Sequence, residues 1–263
     1  MPDLHDVVNF WDNRPCNIRH SKSELGSAKY FKEVSQRRFY VEPHIKEFAK
    51  FEEWKGKRVL EIGCGIGTDG FEFASNGAIY TGTDISTASL ELAKKRFELS
   101  GIEARLIPGN AENLSSLFDK KEEFDLVYSF GVLHHTPSIQ NALREIVKLS
   151  NETTAIKIML YAKESWKQAL INDGLEQPEA QYGCPIANSY THSEVQSLFE
   201  EAGLEVVDIT QDHIFPFVVA DYIEHRYKLQ PYFETMPKEV FASIKRHFGW
   251  HLLIDARLST KHG

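Results

Sequence analysis

Val59-Leu60-Glu61-Ile62-Gly63-Cys64-Gly65-Ile66-Gly67 carries a short apolar run straight into three glycines within five residues. Residues 58–62 read as a buried strand, and glycine lets the following backbone turn tightly and approach a ligand closely. A helix is expected over residues 68–75. The turn therefore sits between the carboxyl end of a first strand and a helix N-terminus, where ligands of doubly wound sheets bind. A plain strand-to-helix turn needs fewer glycines than this.

Downstream, apolar β-rich runs alternate with helical patterns, which predicts a parallel sheet covered on both faces. Strands are expected at 58–62, 79–83, 104–107, 124–130, 154–160, 205–210 and 251–258. The fold class is thus α/β, a doubly wound, mostly parallel, seven-stranded sheet. Leu90, Ala93 and Phe97 share a helix face after Ser86, as do Ile139, Leu143, Ile146 and Val147 after Ser138. A further helix is expected over 193–202, with Ser193 and Gln196 as a capping box and Gly203 ending it. Residues 1–57 and about 211–247 fall outside the alternation. The first is read as an N-terminal helical cap, with a helix over 28–40, and the second as an aromatic-rich lid insertion in a domain spanning 58–263.

Composition narrows the function classes. Thirty basic against 38 acidic residues leave a net charge of -8, a field that opposes nucleic acid. No apolar run is long enough to span a bilayer, and residues 1–13 lack the basic-then-apolar order of a secretory leader, so a cytoplasmic location is expected. Three widely spaced cysteines, Cys16, Cys64 and Cys184, have no metal-ligand spacing, and no metal is expected. Nothing in the sequence specifies an oligomeric state.

Asp84 ends the second strand about 20 residues past the glycine turn, where a carboxylate can accept both hydroxyls of a ribose. It can equally start the next helix as a cap. Gly65, Gly67 and Gly70 also satisfy the G-x-G-x-x-G pattern of NAD-binding folds, but no second nucleotide-binding half follows.

Four segments taken in order decide between these readings: Leu60-Glu61-Ile62-Gly63-Cys64-Gly65-Ile66-Gly67, Asp84-Ile85-Ser86, Gly109-Asn110-Ala111-Glu112-Asn113-Leu114, and Phe124-Asp125-Leu126-Val127-Tyr128-Ser129-Phe130-Gly131-Val132-Leu133-His134-His135. Over roughly residues 58–160 the chain resembles the class I S-adenosylmethionine-dependent methyltransferases. The resemblance implies a Rossmann-like methyltransferase fold, S-adenosyl-L-methionine as cofactor and S-adenosyl-L-homocysteine as product. It implies that Glu61, Gly63, Cys64, Gly65 and Gly67 line the methionine part and that Asp84 binds the ribose. Ile85, Asn110, Ala111 and Glu112 would surround the adenine, with Asn110 standing where many members have Asp. Ser129 and Phe130 would offer backbone carbonyls to the ammonium group.

Methyl transfer from a sulfonium needs alignment and desolvation more than covalent help. His134 and His135 are the candidate catalytic bases, since histidine titrates near neutral pH. For the acceptor, Arg14, Arg19 and Arg37 can pair with an anionic group, and Tyr30, His44, Tyr161, Trp166, Tyr190, His213 and Phe215 are pocket candidates. The expected activity is methyl transfer to a small molecule by direct in-line displacement. The alternatives are an RNA or protein methyltransferase, a non-catalytic S-adenosylmethionine-binding protein, and an NAD-dependent oxidoreductase.

Overall fold

The computed structural model describes residues 3–175 and 183–259. Ahead of the sheet lie α1 (Leu4–Asn13), α2 (Ala28–Val41) and α3 (His44–Ala49). Asp3 and Asp6 form a reciprocal capping box that starts α1. That helix was not expected from sequence. Ser27 caps α2, which runs one residue past the expected stretch.

The first strand, β1 (Arg58–Ile62), leads through the glycine turn into α4 (Thr68–Ser75), and β2 (Ile79–Asp84) is followed by α5 (Thr87–Ser100). Then come β3 (Arg105–Pro108), β4 (Leu126–Phe130), α6 (Ile139–Lys148), β5 (Ala155–Ala162) and α7 (Trp166–Asn172). Ser86 and Ser138 cap α5 and α6, as their sequence positions suggested. The two-residue strand β6 (Ser189–Tyr190) precedes α8 (His192–Ala202) and β7 (Leu204–Asp212). The last part holds α9 (Val219–Ile223), α10 (Pro231–Glu234), α11 (Lys238–Phe248) and β8 (His251–Leu258). The capping box of α8 is Thr191 with Glu194, two residues ahead of the expected Ser193 and Gln196. β6 ends at Tyr190, so Thr191 is the first residue placed to cap the helix.

The sheet has eight strands in the order β3-β2-β1-β4-β5-β8-β7, with β6 paired to β5. The eighth is β6, which pairs with Tyr161 and Ala162 beyond the register that β4 occupies. β1 to β5 run parallel, while β8 is antiparallel to both β5 and β7. Because chain order reverses between β1 and β4, a crevice opens beyond their carboxyl ends.

Alternate strand residues feed two cores. Leu60, Ile62, Val127, Ile156, Ile158 and Leu160 pack with α6 and α8. Val59, Leu126, Tyr128, Phe130, Met159 and Leu253 pack with α3, α4 and α5. Glu61 lies on the second face. Among the described residues, no helix is long and apolar enough to cross a membrane.

Gly70 marks the closest approach of α4 to β2, since a Cβ there would stand 2.2 Å from the Tyr80 ring. A Gly→Ala change inside an exposed helix gains about 1 kcal/mol. Here the overlap is expected to reverse that sign, with Gly70→Ala destabilising by about 1–3 kcal/mol in urea denaturation. A gain in stability would show that Tyr80 yields and that the packing is loose.

Candidate active site

Backbone hydrogen bonds shape the glycine turn. Gly63 N and Cys64 N both donate to Thr83 O at the end of β2, at 2.7 and 2.9 Å, and Gly67 N closes onto Cys64 O at 2.9 Å. Gly63 and Gly65 adopt φ of +76° and +52°, the left-handed region that favours glycine. A Cβ on Gly63 would lie 2.2 Å from Val132 Cγ2, whereas one on Gly65 would meet no protein atom within 4 Å. Gly65 thus leaves open space that a ligand can take.

That space belongs to a cleft of about 980 Å³, open solvent included. Glu61, Gly63, Cys64, Gly65, Asp84, Ile85, Asn110, Ala111 and Phe130 line it. Gly67, Glu112 and Ser129, expected in the same wall, do not line it. Gly67 turns into α4 against Ala93 and Phe97. Glu112 accepts from Ser138 N at 2.9 Å, and Ser129 is buried with its hydroxyl on Ile62 O.

Asp84 accepts Gly65 N at 2.7 Å and Ser86 N at 2.9 Å through its two oxygens. It therefore joins the turn to the start of α5 while facing the cleft. Burial pushes its carboxyl up to about 6, against the pull of those hydrogen bonds. Glu61 accepts the Tyr80 hydroxyl at 2.5 Å. Burial, then the Asp69 charge, push its carboxyl well above the usual range. Asn110 Oδ1 accepts Glu112 N at 3.0 Å, capping a turn of 3-10 helix. That bond orients the side chain and leaves the amide oxygen a second acceptor site.

Sequence reasoning missed the opposite wall. Leu4, Val7 and Trp11 of α1 line the cleft together with Cys16 and Asn17. Asp12 fastens α1 to the first turn of α5, accepting Ser86 Oγ at 2.8 Å and Ala88 N at 3.3 Å. Arg38 also lines the cleft. Its guanidinium makes a bidentate pair with Asp69 at 2.8 and 2.9 Å, and Tyr128 Oη donates to the same carboxylate at 3.0 Å. The signal for Arg38 was its place on the buried stripe of α2, seven residues after Phe31 and four after Val34.

The two histidines separate. His135 lines the cleft, and its Nδ1 lies 2.6 Å from Ile186 O. A carbonyl only accepts, so Nδ1 carries the hydrogen and Nε2 is the basic nitrogen of the neutral ring. His134 is fully buried against Tyr161, ring centroids 3.6 Å apart, and neither ring nitrogen has a hydrogen-bond partner. Burial, helped by His135, holds its pKa well below the usual histidine range. Of the two candidate bases, His135 lines the cleft and His134 does not.

None of the residues expected to bind the acceptor lines the cleft. Arg14 borders a shallow hollow on the outer side of α1, and Arg19 is exposed. Tyr30 is buried, its hydroxyl donating to Ile18 O at 3.0 Å. Arg37 reaches the late segment, donating to Tyr222 O at 2.7 Å and lying 4.0 Å above the Tyr222 ring. Tyr161 is sandwiched between His134 and Trp250. Trp166 meets Tyr232 and Phe233, Tyr190 sits half-buried on β6, and Phe215 packs on Phe217 and Tyr222. His44 and His213 meet each other and His251 behind Phe130. Burial holds all three of those rings below the usual histidine range.

Comparison with known proteins agrees with this geometry. A family model described as a methyltransferase domain matches residues 53–203. A phthiotriol/phenolphthiotriol dimycocerosates methyltransferase of Mycobacterium leprae is 38% identical over 96 residues, which is 36% of this chain. The matched part spans only about a third, 34%, of that relative's length. A ubiquinone biosynthesis O-methyltransferase of Salmonella paratyphi A is 28% identical over 187 residues, 67% of this chain and 71% of that one. Among solved structures, magnesium protoporphyrin IX methyltransferase from Synechocystis PCC 6803 with bound S-adenosylhomocysteine superposes with TM-score 0.64 at 14% identity. That alignment covers 98% of this chain and 100% of the other. The glycine turn held on Thr83, the carboxylate beside it and the matched domain lead to one conclusion: the chain belongs to the class I S-adenosylmethionine-dependent methyltransferases.

Proposed function

We propose that the protein transfers the methyl group of S-adenosylmethionine to a hydroxyl or amine of a small-molecule acceptor. The observation that carries this reading is a single cleft whose wall holds the cofactor turn, Asp84 and, on the same lining, His135 with Nε2 as its basic nitrogen. When bound, S-adenosylmethionine supplies a methyl group already activated by its sulfonium. Glu61 and residues 63–65 of the turn would hold the methionine part, Asp84 the ribose, and Ile85, Asn110 and Ala111 the adenine. Trp11 and its neighbours on α1 exclude water from the mouth, and His135 accepts the proton that the acceptor releases as it is methylated.

A small acceptor is supported by α1 lying across the cleft and by the net charge of -8, which disfavours a polyanion. The Salmonella relative, named for ubiquinone biosynthesis, is consistent with it. In this reading residues 1–57 form a cap on the cofactor domain of residues 58–263. The 211–247 insertion braces that cap through Arg37 and through Tyr40, which stacks on Phe217.

Three outcomes are expected. Asp84→Ala should weaken calorimetric binding of S-adenosylmethionine at least about tenfold, the equivalent of roughly 1.4 kcal/mol. Unchanged affinity in a folded variant removes the ribose assignment. Because burial raises the Asp84 carboxyl to about 6, a cationic ligand favours its ionised form. Affinity should therefore rise as pH passes upward through that value, with proton release on binding, and a flat profile contradicts the charge argument. Once an acceptor is found by screening, His135→Ala should lower kcat by about 100-fold or more with little change in KM. A kcat within roughly threefold of the parent excludes the base role.

A further inference from the structure

Glu42, His44 and His213 bring one ligand atom each to within 4.8 Å of one another. They come from three places in the chain: the residue after α2, the first residue of α3 and the residue after β7. Neither the glycine turn nor the cleft uses them, and Phe130 stands between them and the cofactor site, its ring 6.1 Å from that of His44. We propose that this cluster binds one divalent transition-metal ion, zinc by its donor set, which clasps the N-terminal cap to the antiparallel edge of the sheet.

Two imidazoles and a carboxylate match the borderline character of zinc, and the two histidines are buried at 4% and 7% exposure. Zinc bonds of about 2.0–2.2 Å require ligand atoms closer than 4.8 Å, so the side chains must draw in by roughly 1 Å. The surroundings favour that movement. His251, first residue of β8, hydrogen-bonds His44 at 2.9 Å and orients its ring, the usual role of an outer partner to a ligating histidine. His213 adopts φ of +73°, a left-handed backbone rare for a side chain of its size, and this turns its ring into the cluster. Glu42 lies 3.4 Å from Arg38, but Arg38 keeps its bidentate partner Asp69 when Glu42 turns to a metal. The clasp leaves the metal behind the aromatic wall of the cleft, and it does not depend on which acceptor is methylated.

The test uses the full chain with its affinity tag removed and bound metal stripped by a chelator. Titration with cobalt(II) should give a saturable visible d–d band at one equivalent, displaced by zinc. Zinc should also raise the melting temperature. His213→Gly keeps the left-handed backbone without the ring and should weaken binding at least tenfold, as should Glu42→Gln. The exposed His247→Ala should leave it unchanged. Absence of a saturable band overturns the proposal, as does binding that survives in both cluster variants, which would place the metal elsewhere. If His213→Gly fails to fold, Glu42→Gln alone decides between these outcomes.

Discussion

Two amide hydrogens aimed at one carbonyl organise the molecule. Thr83 O accepts both Gly63 N and Cys64 N, which folds the exit of β1 back onto the end of β2. In that position Gly65 N reaches the Asp84 carboxylate. Asp84 in turn holds Ser86 N, and Ser86 caps α5 and donates its hydroxyl to Asp12 of α1. The cofactor turn, the second strand, the fifth helix and the cap over the cleft are thus joined by a short run of hydrogen bonds from one carbonyl. A residue with a Cβ at 63 would strike Val132 and would also resist the φ of +76°. Sterics and backbone conformation therefore both demand glycine there.

A second constraint joins cap to core by charge. Arg38 enters the cofactor side of the sheet and is neutralised by Asp69 with help from Tyr128. A buried ion pair adds little net stability compared with apolar residues of the same shape, but removing one partner costs about 3–5 kcal/mol. Its value here is positional: it sets how α2 lies on α4, and through α2 where α3 and its histidine begin. Arg37, one residue earlier, points about 100° away around the helix and serves a different neighbour.

This separation explains what could be read from sequence. The glycine turn, Asp84 and the Asn110 segment were legible because each is local: a few consecutive residues whose conformation follows from their own chemistry. All seven principal strands were found within a few residues of their ends, and β4 and β5, buried on both faces, read most clearly as near-continuous apolar runs. α1 was missed because its start is signalled by an Asp3–Asp6 box where serine or threonine with glutamate is the usual pattern. The residues expected to bind the acceptor lie away from the cleft for a different reason. Arg37, Tyr30 and Tyr161 have the right chemistry, but their partners, Tyr222, Ile18 and Trp250, are set by tertiary packing that no local spacing records.

The charges around the cleft bear on the choice between cofactors that glycine patterns leave open. Three carboxylates, Glu61, Asp69 and Asp84, line it against one guanidinium, Arg38, which Asp69 already neutralises. In a low-dielectric wall the remaining two carboxylates resist ionisation, as their raised pKa values show. A dinucleotide would bring a pyrophosphate into that field and add two negative charges where negative charge is already unwelcome. A sulfonium relieves it. The burial that makes these acids weak favours a cationic ligand over a pyrophosphate.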